Sequence, residues 1–325
     1  MNSLEEQLVK HLTDVHSIEE QALQQLRTAP DIAGDEELAA AFREHLTETE
    51  EQERRVRERL EAHGADPSRT KDLVARAGGI GMLLFAKSQP DTPGKLTAHA
   101  FSYEHMELAA YDLLAIVADR AGDGETAAVA RSIREQEAAM AERLAAGFDR
   151  AVAASLRDVD PPDLGEQLAK YLADAHAIEA QAIQLLENGP RIAGESELAR
   201  VFANHLEETR AQQARLEERL EAHGSGPSRL KDAVLRVGGL NLGAFFAAQP
   251  GDTPAKLAGF AFAFEHLEIG AYEQLKRVAH HAGDFETAKV ADEIIGQERA
   301  AAAAIRAQFE PAVDASLGGQ AVGTS

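Results

Sequence analysis

The chain has 325 residues, no cysteine, no tryptophan and a formal net charge of −22. Such an excess of carboxylates argues against nucleic acid as a partner, because affinity for a polyanion comes from Lys and Arg replacing its counterions. Without thiols there is no disulfide, thiolate metal site or thiol redox couple, so any redox chemistry falls to a metal or cofactor.

Ala, Leu, Glu, Gln and Arg dominate, a helical composition. The first helical pattern runs over about 4–27 and stops before Ala29-Pro30. The second spans about 35–64 and ends at Gly64, which can take the left-handed C-terminal position. A long connection, 65–91, carries a shorter apolar helix around 71–87. The third helix opens at Thr92-Pro93, and the fourth covers about 125–156 after a turn containing Gly122 and Gly124. A charged linker at 157–163, stiffened by Pro161 and Pro162, precedes four more helices at 164–187, 195–223, 253–282 and 286–316. Residues 318–325 are expected to be a disordered tail. The start of the chain has neither the basic nor the apolar region of a signal peptide. The longest apolar runs, 78–86 and 240–248, are about half of what a bilayer requires. A soluble, cytoplasmic protein with no membrane partner is expected.

The second set of helices is a copy of the first. Residues 4–90 and 164–250 align without a gap at an offset of 160, the rest aligns at 161, and the heptapeptide at 58–64 recurs at 218–224. The expected domains are therefore 1–156 and 164–317. In each, short links make antiparallel hairpins of helices 1–2 and 3–4, while the long 2–3 link can cross the whole bundle. The predicted fold is all-α, two tandem ferritin-like four-helix bundles. The apolar crossover segments 74–85 and 234–246 are expected to line a pseudo-twofold interface, since a fused pair is a homodimer made covalent. Assembly into a larger homo-oligomer stays open.

Each helix should bury one stripe of residues three and four apart, and every stripe is interrupted by acids near its middle. Helix 1 gives Leu8, Leu12, Val15, Glu19, Ala22 and Leu26, with Glu179 as the copy of the acid. Helix 2 gives Leu38, Phe42, His45, Glu48, Gln52 and Val56, with His205, Glu208 and Gln212 as copies. Helix 3 carries Glu104, Glu107 and Tyr111, repeated as Glu265, Glu268 and Tyr272, and helix 4 carries Glu137, repeated as Glu298. Antiparallel packing brings these to one level, where five carboxylates and one imidazole would share a small volume. Unpaired buried carboxylates cost several kcal/mol each, and like charges repel further. Divalent cations would neutralise them, and oxygen-rich ligation with one imidazole suits iron or manganese better than structural zinc. The reading is a dimetal centre in each repeat, with Glu48 and Glu104 as bridging ligands.

The segments Ile18-Glu19-Glu20-Gln21, the run 44–50, the run 103–111 and Glu135-Gln136-Glu137 resemble the YciE/YciF family of ferritin-like, stress-associated bacterial proteins. Both halves match over nearly their whole length, so the chain looks like a fused tandem of two members. The resemblance implies rubrerythrin-like or ferritin-like bundles that commonly pair as dimers, and implies little about reaction. One departure from the usual di-iron pattern is the order His45-x-x-Glu48 where Glu-x-x-His is usual. Met140 and Ala301 stand where a second histidine would sit, so one imidazole per pair of metals is expected.

Around this set, His16 and His176 are extra ligands or supporting hydrogen-bond partners, and Gln52 and Gln212 are supporting partners. Tyr111 and Tyr272 are core tyrosines, partners of a ligand carboxylate, or electron shuttles. His105 and His266 are assigned hydrogen bonds, and His63 and His223 a favourable place at helix C-termini. His11, His99, His280 and His281 do not recur in the other copy and are set aside. Three functions fit. The first is a dimetal carboxylate protein, two metal ions per repeat, iron first with manganese or zinc possible alternatives, reacting with O2 or peroxide as a ferroxidase or in peroxide detoxification. The second is a noncatalytic stress or scaffold protein with weak or no metal binding. The third is a dimetal oxygenase acting on an organic substrate, which needs a pocket from the surface to the cluster.

Overall fold

The computed structural model describes residues 4–66, 92–194, 196–226 and 253–322, and the regular structure among them is helical. The chain divides at residues 157–158 into two units. The apolar crossover segments 74–85 and 234–246, the short helix at 71–87 and the interface assigned to them lie outside the described residues.

Repeat 1 contains α1 (Leu4–Leu26), a single turn α2 (Ala29–Ile32), α3 (Glu36–Ala62), α4 (Thr92–Ala121) and α5 (Gly124–Ser155). The α1 stripe of Leu8, Leu12, Val15, Ala22 and Leu26 is buried as its spacing predicts. α3 starts because Asp35 accepts from the backbone N–H groups of Glu37 and Leu38, and it ends at Gly64, whose φ of 66° suits a residue without Cβ. α1 packs on α3 and α4, and α5 packs on α3 and α4, which closes a ring of four helices with α3 and α4 across from one another. Burial of each large apolar side chain in such a ring contributes about 1.5–3 kcal/mol. Gly34, at φ 69°, is needed where the chain turns into α3, because a Cβ there would meet Pro93 Cγ at 2.6 Å.

Repeat 2 contains α6 (Leu164–Ala193), α7 (Glu197–Ala222), α8 (Thr253–Ala282), α9 (Phe285–Arg306) and α10 (Phe309–Val322), and a 3-10 turn, Pro161–Asp163, leads into it. Its helices close the same ring, α6 on α7 and α8, and α9 on α7 and α8. Three boundaries differ from expectation. α6 continues through Pro190 to Ala193 where the pattern stopped at 187. The helix expected over 286–316 is two helices, because Pro311 replaces the Arg150 of repeat 1 and its ring would clash with the carbonyl four residues back. In the first turn of a new helix that clash disappears. The segment expected as a disordered tail from residue 318 is helical as far as Val322.

Candidate metal centre

The interrupted stripes meet. In repeat 1, Glu19 from α1, His45 from α3, Glu104 and Glu107 from α4 and Glu137 from α5 are all at most 3% exposed. His45 Nε2 lies 3.1 Å from Glu104 Oε2 and 3.4 Å from Glu137 Oε2. In repeat 2, His205 Nε2 lies 2.9 Å from Glu265 Oε2 and 3.2 Å from Glu298 Oε2, with Glu179 and Glu268 fully buried beside them. Side-chain ligand atoms of His45, Glu104, Glu107 and Glu137 all come within 4.8 Å of one another, as do those of His205, Glu265, Glu268 and Glu298.

The electrostatics show what these clusters lack. Glu107 Oε2, Glu19 Oε2, Glu179 Oε2 and both carboxylate oxygens of Glu268 are buried with no hydrogen-bond partner. Burial first, then the neighbouring carboxylates, pushes Glu107, Glu137 and Glu268 well above the usual carboxylate range. Glu19 rises to about 8 because burial outweighs the Tyr111 hydrogen bond and the His45 charge that favour its ionised form. Glu265 is likewise raised to about 8 by burial against the opposing pull of His205. Burial disfavours charge on His45, but the charge and hydrogen bond of Glu104, followed by Glu48 and Glu137, outweigh it and raise the imidazole well above its ordinary value. His205 is raised to about 11 in the same way. A cation would relieve all of these strains at once, and the orphaned oxygens are the hard donors that iron or manganese takes. The residues present therefore fit a metal, and among the described residues each repeat holds a fully buried cluster of one histidine and three glutamates that could bind it.

Glu48 and Glu208 depart from the expected bridging role. Their side chains are 40% and 55% exposed, and each carboxylate faces the outer ring nitrogen of the histidine three residues before it, at 3.2 Å from His45 Nδ1 and 3.1 Å from His205 Nδ1. The inner position of α3 belongs to Thr49, fully buried, whose hydroxyl donates to the His45 carbonyl. Thr209 repeats this in α7.

The supporting residues sort differently. Tyr111 donates its hydroxyl hydrogen bond to Glu19 and Tyr272 to Glu179. Gln212 donates to Glu298 and to Gln297, whereas Gln52 donates to Gln136 at 3.4 Å. His16 turns away from the cluster to Glu53, 2.9 Å distant, and His176 to Glu217 at 3.1 Å. His16, Glu20 and Glu53 form a separate group with ligand atoms within 4.8 Å, but repeat 2 has Ala180 and Gln213 in place of the two acids. His105 and His266 bond the carbonyls of Phe101 and Phe262 through Nδ1, each at 2.7 Å. His63 and His223 bond Asp123 and Asp284, the residues that cap α5 and α9. Gln136, Gln297 and Glu53 were missed as partners; only the Glu135-Gln136-Glu137 run pointed to one of them.

Among the described residues no helix is long and apolar enough to cross a membrane. The chain is similar to Protein YciF of Escherichia coli (strain K12), with 27% identity over 143 residues, which is 43% of this chain and 86% of that protein. No solved structure matches the chain significantly. The family described as "Domain of unknown function (DUF892)" matches twice, over residues 3–157 and 163–317, and each match contains one complete cluster. The chain belongs to that DUF892 family, as two members in tandem.

Proposed function

We propose that each repeat is a ferritin-like dimetal carboxylate centre, with iron as its first metal, that consumes O2 or peroxide. The observation that carries this reading is the set of buried carboxylates with orphaned oxygens around a single imidazole, present in both repeats. Glu19, His45, Glu104, Glu107 and Glu137 would hold the metals in repeat 1, and Glu179, His205, Glu265, Glu268 and Glu298 in repeat 2. When bound, a pair of ferrous ions supplies the two electrons that, with two protons, convert one hydrogen peroxide to two waters.

The protein's own residues prepare the site. Tyr111 fixes one oxygen of Glu19 and leaves the other to face the cluster. Burial and the Glu19 charge raise the Tyr111 phenol, so it stays a donor throughout the physiological range. Glu48 accepts from Nδ1 of His45 and would hold the proton there when a metal displaces the one on Nε2, which faces Glu104. Glu208 does the same for His205. The buried apolar residues one helical turn from the ligands, among them Val15, Phe42 and Met140, keep bulk water out.

Anaerobic loading with ferrous iron followed by addition of one oxidant at a time tests this reading. Peroxide consumed in a ratio of about one per pair of irons, with an optical band rising as the iron oxidises, supports it. Bound iron that oxidises no faster than free ferrous ion in the same buffer favours the noncatalytic scaffold.

A further inference from the structure

Repeat 1 has a small pocket between α1, α3 and α4 that ends on Glu104 of the metal cluster. Its apolar wall includes Leu26 and Phe42, and its polar lining is Gln25, His99, Tyr103 and Glu104. Gln25 is 8% exposed and its Nε2 has no hydrogen-bond partner. His99 Nε2 is likewise buried and unpartnered, although the residue as a whole is half-buried. Burial holds the His99 imidazole down at about 4, so it is neutral at pH 7 and offers Nε2 as acceptor or donor. Tyr103 spends its hydroxyl on the Ile18 carbonyl at 2.9 Å and therefore contributes a ring face.

Two orphaned polar atoms in one pocket are costly unless something occupies it. The water-accessible volume is about 20 Å³, slightly more than one water needs and far less than an organic substrate. O2 fits by size but makes no useful hydrogen bond, so it gives no reason for Gln25 and His99 to be there. Repeat 2 supplies the internal control. Phe202 and Glu265 stand in the places of Phe42 and Glu104, but Leu185, Phe260 and Phe264 replace Gln25, His99 and Tyr103. All three polar residues have become apolar together.

We propose that this pocket of repeat 1, and of repeat 1 alone, binds hydrogen peroxide beside Glu104, with Gln25 and His99 as its hydrogen-bonding residues. The choice of ligand rests on the reading of the cluster as a redox metal centre, whereas the binding itself needs no metal. Repeat 1 is then equipped for a small polar oxidant, whereas repeat 2 carries only apolar side chains at those three positions.

The test is a titration of the full, metal-free chain with hydrogen peroxide, following the ring signals of labelled histidines by NMR. The His99 signal should shift saturably, while His266 on α8 stays still. Gln25→Leu installs the residue that repeat 2 already carries and should abolish saturation. If that variant does not fold, His99→Phe, read on the ring signals of Tyr103, takes its place with the same expectation. A His99 shift that grows linearly with peroxide, or one equal in wild type and variant, means that only solvent fills the pocket and overturns the proposal. Because no metal is present, failure here leaves the metal reading standing, and failure of metal loading leaves this titration intact.

Discussion

The phenol of Tyr111 donates its hydrogen bond to Glu19 from a helix 92 positions further along the chain, and both side chains are completely enclosed. Among the described residues it is the hydrogen-bond donor to a carboxylate that also meets the charge of His45 and the like charges of Glu104 and Glu53. Tyr111→Phe should therefore raise the Glu19 carboxyl further and lower the stability of repeat 1 by about 1–3 kcal/mol. Loss of a supporting partner of this kind costs roughly 10–100-fold in metal affinity. Denaturant melts and a metal titration of the variant read both effects, and Tyr272→Phe should reproduce them in repeat 2.

Removing one acid from the cluster should separate stability from function. Glu107→Gln replaces a buried carboxyl that has an orphaned oxygen and is crowded by other carboxylates with a neutral amide, so the metal-free protein should melt at a higher temperature than wild type. The same variant should lose the stabilisation that ferrous or manganous ion gives to repeat 1 and keep that of repeat 2. Calorimetry with and without metal distinguishes the two.

The metal-free chain should lose stability as pH rises. Glu19 and Glu265 titrate at about 8 in the folded protein against an ordinary value of 4.5. Their folded values are raised, so their contribution is fully present below about 4.5 and is lost as pH climbs through about 8. His205, raised to about 11 from 6.5, contributes in the same sense at higher pH. Melting at pH 5.5 and pH 8.5 should show the metal-free protein weaker at the higher pH. Metal should reverse the order, because its ligands must be deprotonated.

Asp123 is a structural hub remote from the cluster. It caps α5 through the N–H groups of Glu125 and Thr126, and it also receives His63 at 2.8 Å and Arg59 at 3.2 Å. Against partial burial, the Thr126 hydroxyl and N–H, then His63 and Arg59, depress its carboxyl below 3.8. Asp123→Ala should cost about 2 kcal/mol at neutral pH, measured by denaturant melts, without changing metal stoichiometry. That loss should shrink as pH falls below about 4, since a depressed carboxyl contributes in full above its unfolded value and loses that contribution progressively as pH falls toward its folded one.

The bundle and most of the cluster were legible because apolar spacing and duplicated acids point the same way: Glu19, Glu104, Glu107 and Glu137 interrupt stripes that are otherwise apolar. Position 48 misled because Thr49 reads as polar but hides its hydroxyl on the His45 carbonyl and packs like an apolar residue. A stripe through 45, 48 and 52 and one through 45, 49 and 52 have equally helical spacing, and only the neighbours on α4 and α5 choose between them. The same reliance on repetition hid His99, set aside because repeat 2 has Phe260. The difference between the copies, not their agreement, marks the pocket. The break before α10 was readable in principle from Pro311, which the comparison with Arg150 exposes.

Anaerobic titration of the full chain with ferrous iron, with metal content counted after removal of loose ions, tests the central claim most directly. The account predicts roughly two irons per repeat, about four per chain, falling to about two in Glu107→Gln combined with Glu137→Gln. Fewer than about one tightly held iron or manganese per chain, unchanged by those substitutions, would contradict it.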